Sequence, residues 1–312
     1  MSKSKTWISF VIIHVIFMGV WGALIELPEK NGFPPTLGYV VWAVMMIPAA
    51  VVALAVNGWK LERDSRSILL GCLAGLLGAV GQLVLFLTLR IAPAYIVFPI
   101  LSLTPVVTIL MAVLFLKEST GAMGWIGISI AVVAIFLLSY TPPGNSVLSG
   151  YGWILLTLVP LLTWGAQGFV MRFANEHMKA ESIFFYMTLS SLLLIPFALW
   201  MTDFSQPINY GLNGPYLSAA VQVLNAFGAL CLVYAFRYGR AIFVAPMTTA
   251  LSPVLTVIIS LCIYSVFPHS VTLIGIILAI VSAVMMGNAE MNMEKKEGER
   301  LPTTTKTFNE VK

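Results

Sequence analysis

Ten runs of apolar residues, each about 20 long, follow one another through this chain with only short breaks between them. A run of that length is what a helix needs to cross roughly 30 Å of hydrocarbon. Backbone in hydrocarbon must bond to itself, so a chain of such runs folds as a bundle of helices. The runs fall at about 7–27, 36–56, 68–89, 94–116, 122–140, 151–172, 182–202, 215–236, 241–265 and 270–289. Charge is confined almost entirely to the breaks. Only 10% of the 312 residues are charged and 59% are hydrophobic, against about 25% charged in a soluble domain. The expected fold class is an all-α polytopic membrane protein with ten transmembrane helices.

The charged residues also orient the bundle. With the N-terminus in the cytoplasm, Lys30 and Arg90 are the outer cations among the 17 Lys and Arg residues. The rest fall inside, including Lys60, Lys117, Arg172 and Arg240, as the positive-inside rule requires. Both termini are then cytoplasmic.

The chain repeats itself. Trp21-Gly22-Ala23 returns as Trp164-Gly165-Ala166, and Ile47-Pro48 as Ile195-Pro196. Gly81, Leu83, Leu85 and Arg90 return as Gly228, Leu230, Leu232 and Arg237. Residues 1–140 and 150–289 are thus two five-helix units, followed by a polar tail, 290–312, expected to be disordered. Five is odd, so equivalent helices run in opposite senses. Inverted repeats of this kind place a site near the midplane, where interrupted helices meet. The fourth helix of each unit is broken by prolines, Pro99 and Pro105 in the first and Pro246 and Pro253 in the second. A proline removes one helical hydrogen bond and frees a carbonyl. The nearby hydroxyls Ser102, Thr104, Thr108, Thr248, Thr249, Ser252 and Thr256 either cap those carbonyls or face a solute.

Few side chains within the runs bear chemistry. His14 stands a third of the way along the first run, where an ionisable group is costly. Two readings are open: a proton-coupling or solute-binding group, or a neutral ring bonded to a neighbouring carbonyl. Glu26 near the end of that run is either a second proton-coupling candidate or an interfacial charge. Trp21 and Trp164, each beside a glycine, are expected to line a cavity. Gln82, Gln167, Gln222 and Asn225 are polar amides in otherwise apolar runs, and Gln222 and Asn225 share one helix face. With Tyr95, Ser102 and Thr249 they complete the candidate substrate-binding set. Small-residue rows, Gly275, Ala279, Ala283 and Gly287 in the tenth run and Gly127, Ala131 and Ser139 in the fifth, suit close helix contact within the chain or between two copies of it.

No phosphate loop, His-Glu-x-x-His, Cys-x-x-Cys or Gly-x-Ser-x-Gly is present, so no enzyme, metal or cofactor is expected. Nothing points to nucleic acid. No Lys or Arg lies in the middle of a run, which argues for an uncharged, zwitterionic or cationic solute.

The Trp-Gly pair early in each half, and the proline-bearing fourth helix that runs through Thr104-Pro105-Val106-Val107-Thr108 to Lys117-Glu118, resemble the drug/metabolite transporter superfamily, in particular its EamA-like branch. The resemblance spans about 1–289. It implies ten helices in two inverted repeats, with helices 1–4 and 6–9 around a central cavity and helices 5 and 10 at the edge. It implies a secondary transporter in a cell membrane that carries a metabolite, amino acid or drug-like solute, commonly outward. A sugar facilitator and a non-transporting scaffold of the same fold are the alternatives. The second half has Ser265-Val266 where the first has Lys117-Glu118. The first helix lacks the embedded acid of related small multidrug transporters.

Overall fold

A computed structural model describes residues 3–91, 97, 100, 101, 103–138, 152–264 and 269–300. Among the described residues there is no strand. The helices are α1 (Lys3–Leu24), its short continuation α2 (Glu26–Lys30), α3 (Pro35–Val56), α4 (Ser65–Ile91), α5 (Thr104–Phe115) and α6 (Ala122–Leu138). They continue with α7 (Gly152–Ala174), α8 (Ala180–Leu193), α9 (Ile195–Trp200), α10 (Leu217–Tyr238), α11 (Ala241–Tyr264) and α12 (Ser270–Arg300). Eight helical segments are long and apolar enough to cross a membrane, and α5 and α6 are shorter apolar helices. The protein is a multi-pass membrane protein. Helix α12 continues through residues 290–300, which composition alone had assigned to the disordered tail.

Local chemistry sets the helix ends. Pro35 opens α3 and Pro105 opens α5, at positions where the missing N–H is not needed. Asp64 precedes α4 and accepts from the Ser67 amide at 3.0 Å. Hydrogen bonds from Ser67 hold the Asp64 carboxyl below its ordinary range. Helix α3 ends on Gly58 at φ +63°, which lets the Trp59 amide reach back to the Leu54 carbonyl at 2.7 Å. That left-handed turn is where glycine is least strained. Pro48 is absorbed within α3. Its counterpart Pro196 instead starts a separate helix, α9, after a break at Leu194.

The two halves exchange helices. Helix α1 packs on α10 and α11, and its counterpart α7 packs on α4 and α5. Helix α3 packs on α10, and its counterpart α8 packs on α4. Two mixed groups result: α1, α3, α10 and α11, and α4, α5, α7 and α8. They meet where counterparts touch each other, α3 on α8 and α5 on α11. Helices α6 and α12 form a third self-pair, in which Gly127 lies against Met286 and Gly275 against Leu138. The two helices that carry the small-residue rows therefore pack on each other inside one chain, whereas Gly287, at the end of its row, has nothing within 4 Å of a Cβ position.

One end of the bundle gathers the basic loops. Lys179 donates to Asn57 at 2.8 Å, Arg240 donates to the Ser119 carbonyl at 3.0 Å, and Arg240 pairs with Glu290 at 3.5 Å. At the opposite end the Asn209 amide donates to the Gly32 carbonyl at 3.0 Å. Thr202 donates to Thr36 at 2.8 Å.

Candidate functional site

Buried and half-buried polar side chains between α1, α3 and α10 form one constellation. The Trp21 indole donates to Gln222 Oε1 at 3.1 Å. The Trp42 indole donates to Asn225 Oδ1 at 2.7 Å. Gln222 and Asn225 are three residues apart on α10, so both amides point from the same face. Trp21 reaches the first from α1 and Trp42 the second from α3. An indole N–H only donates. Each amide is thereby turned with its oxygen on the indole, and its two N–H donors remain for other acceptors. Tyr39 stands beside Trp42 at 5.2 Å between ring centroids. Phe17 lies 6.3 Å from Phe227 on the adjoining turn of α1 and α10. The constellation offers amide hydrogen bonds in an aromatic frame.

His14 lies two turns from Trp21 on the same face of α1. It is 6% exposed, and its Nδ1 is 2.8 Å from the Gly228 carbonyl. A carbonyl only accepts, so Nδ1 carries the proton in this contact. A neutral ring and an imidazolium can both make this contact. Gly228 also receives Met18, whose sulfur a Cβ there would meet at 3.1 Å.

The other expected residues lie elsewhere. Trp164 donates to the Gly78 carbonyl at 3.1 Å. Gln167 is packed against Gly78, and its amide occupies the space that a Cβ there would need. Both sit at the α4–α7 contact, apart from the α10 amides. Gln82 is half-buried on α4 and Thr249 half-buried on α11. Glu26 is exposed and pairs with Lys30 at 2.8 Å, one turn along. Tyr95, Pro99 and Ser102 lie outside the described residues.

The prolines divide by context. Thr104 donates to the Leu101 carbonyl at 2.6 Å, the one that Pro105 leaves without its helical partner. Pro246 and Pro253 sit inside α11. Thr248 bonds back to Val244 and Ala245. Two further threonines reach outward: Thr108 donates to the Gly165 carbonyl at 2.8 Å and Thr256 to the Gly19 carbonyl at 3.1 Å. The two threonines are counterparts in the repeat, and each ties a fourth helix to the first helix of the other half, although their acceptors lie about one turn apart in register.

Two residues of interest carried no site signal in the sequence. Trp42 was one tryptophan in an apolar run, without a counterpart in the other half. Glu118 marked the family-like Lys-Glu pair without an assigned role. It is 7% exposed, accepts from Arg172 at 2.9 Å and from the Ile242 amide at 3.1 Å. Burial pushes its carboxyl above the ordinary glutamate range, and Arg172 and the α11 amides offset that only in part.

A cavity of about 490 Å³ opens at the end opposite the basic loops, lined by Glu29, Phe33, Thr36, Met201, Asp203 and Gln206 among others. It contains none of the residues selected from the sequence. Among the described residues, no group of three His, Cys, Asp or Glu is arranged to hold a metal ion.

The EamA-like transporter family matches residues 5–140 and again residues 151–288. The chain belongs to the EamA-like transporter family. The family model thus matches twice along the chain, once in each half. An uncharacterized protein of Methanocaldococcus jannaschii, MJ1333.1, is 27% identical over 129 residues, 41% of this chain and 92% of that relative. That relative is about the size of one of this chain's halves. A protein of known crystal structure superimposes with a TM-score of 0.72 at 14% identity, covering 89% of this chain and 98% of its own. At that identity the likeness is one of fold.

Proposed function

We propose that this EamA-like membrane protein is a secondary carrier of a small organic solute and releases it unchanged on the other side. In this reading ten helices cross the cell membrane, with both termini and the basic end in the cytoplasm. The two mixed helix groups rock about a midplane site. The observation that supports it is the pair of amides, buried Gln222 and half-buried Asn225, each held by an indole from a different helix. Polar amides at membrane depth are costly. Here four N–H donors are left over after the indoles are satisfied, enough to recognise carbonyl, carboxylate or hydroxyl oxygens of a solute. The aromatic frame suits a cargo with an apolar body, and the lack of mid-helix cations disfavours a phosphorylated one.

Comparison of metabolites in the medium and in cells overexpressing the protein tests this reading. A solute that accumulates in the medium makes the protein an exporter. Gln222→Ala is expected to reduce that accumulation about tenfold, because a hydrogen-bonded partner of the solute is lost. Equal accumulation in the variant and the parent would remove Gln222 from the site. Unchanged pools with the parent would favour a non-transporting role for the same fold.

A further inference from the structure

Glu118 takes no part in the α10 constellation, yet it is among the most buried carboxylates described. The turn that places it is strained. Lys117 adopts φ 55°, a left-handed conformation that a residue with a Cβ rarely takes. That turn sends the Glu118 amide back to the Ala112 carbonyl at 3.2 Å and its side chain inward. One carboxylate oxygen meets Arg172 on α7. The other accepts from Ile242, in the first turn of α11. Amides in a first helical turn have no partner inside their helix, and the helix dipole favours a negative group there.

The two partners belong to different helix groups. Arg172, on α7, and Glu118, just after α5, belong with α4 and α8. Ile242 belongs to α11 and so goes with α1, α3 and α10. The carboxylate is thus oriented by its own group and bonded to the other. Arg240, just before α11, adds a second link by donating to the Ser119 carbonyl. We infer that Glu118 is the latch of the basic-end gate: aimed by Arg172, it caps the start of α11, keeps that end closed, and lets go whenever the midplane site opens to that side. The inference rests on the carrier reading above.

The test reads access instead of transport. Gln222→Cys serves as the reporter in a background with Cys72, Cys231 and Cys262 changed to alanine. Its reaction with a membrane-impermeant maleimide is timed from each side of sealed vesicles. Glu118→Ala removes the cap and is expected to speed labelling from the basic side about tenfold. Glu118→Gln keeps an acceptor for the Ile242 amide and should change the rate less than about twofold. Glu118→Asp is too short to meet both partners; it should give roughly threefold, and carries the test if the alanine variant does not fold. An alanine variant that melts like the parent and labels at the parent's rate overturns the latch. So does a glutamine variant that opens as widely as alanine, since the cap is then not what holds. Labelling from the opposite side alone, unmoved by any Glu118 variant, leaves the carrier reading standing and overturns the latch. Labelling from neither side in any variant overturns both.

Discussion

Helices α4 and α10 are counterparts, and the faces they turn to their neighbours are built for opposite purposes. In the register set by Gly81 and Gly228, Gly71, Gly75 and Gly78 of α4 correspond to Ser218, Gln222 and Asn225 of α10. The α4 glycines let helices approach to backbone contact. A Cβ at Gly71 would lie 2.6 Å from that of Tyr186, and one at Gly75 would lie 2.6 Å from Met187 Cα. Close approach of this kind is how helices gain van der Waals contact in a bilayer, where lipid tails are as apolar as leucine. On α10 the same positions carry side chains that hold two indoles away from the helix. The duplicated scaffold thus uses one copy as a seam and the other as a polar surface. Symmetry of backbone does not impose symmetry of function.

Gly75→Leu should have the largest effect. Overpacking against the Met187 backbone is expected to cost about 3 kcal/mol. A thermal melt in detergent should fall sharply or yield no folded protein. A melt like the parent's would show that α4 is not a seam. Trp42→Phe tests the other face. It keeps the ring and removes the N–H, so stability should fall by about 1 kcal/mol while transport falls several-fold. Loss of stability with full transport would make the Trp42–Asn225 bond purely structural. Trp164→Phe should do least: one bond to the Gly78 carbonyl is lost, about 0.5–1 kcal/mol, and transport should stay within twofold of the parent. A large transport defect there would restore the symmetric expectation for the two tryptophans.

That symmetric expectation shows where sequence reading stops. The apolar runs, the internal repeat and the family were legible because hydropathy and recurring residues are local properties. Trp21 and Trp164 recur, but the partners that separate their roles, a Gln222 side chain and a Gly78 carbonyl, lie on other helices. Gln222 and Asn225 were visible as polar residues on one face, whereas Trp42 resembled any aromatic in an apolar run until α3 was docked. His14 stood out because it ionises, but its Gly228 partner is more than two hundred residues away. Glu118 sat at a helix end, where a charge usually meets water, and its burial depends on α7 and α11 converging there. The Gly71, Gly75 and Gly78 face escaped notice because repetition drew attention to residues that match, and these do not.

The exchange of helices has a mechanical corollary. A chain that rocks as two groups must bend where its backbone passes from one to the other, and here those crossings are not the junction between the repeats. The main chain leaves the first group between α3 and α4 and returns to it after α8 and before α10. In the rocking proposed above, the chain would bend at the segment that begins at Gly58 and Trp59, both at positive φ, and at the stretch at the far end that winds through the wide turn Leu212–Tyr216 into α10. One of these segments lies at the basic end of the bundle, where Asn57 meets Lys179, and the other at the opposite end, where Gly214 abuts Asn209, so the two pins of such a folding frame would sit at opposite ends.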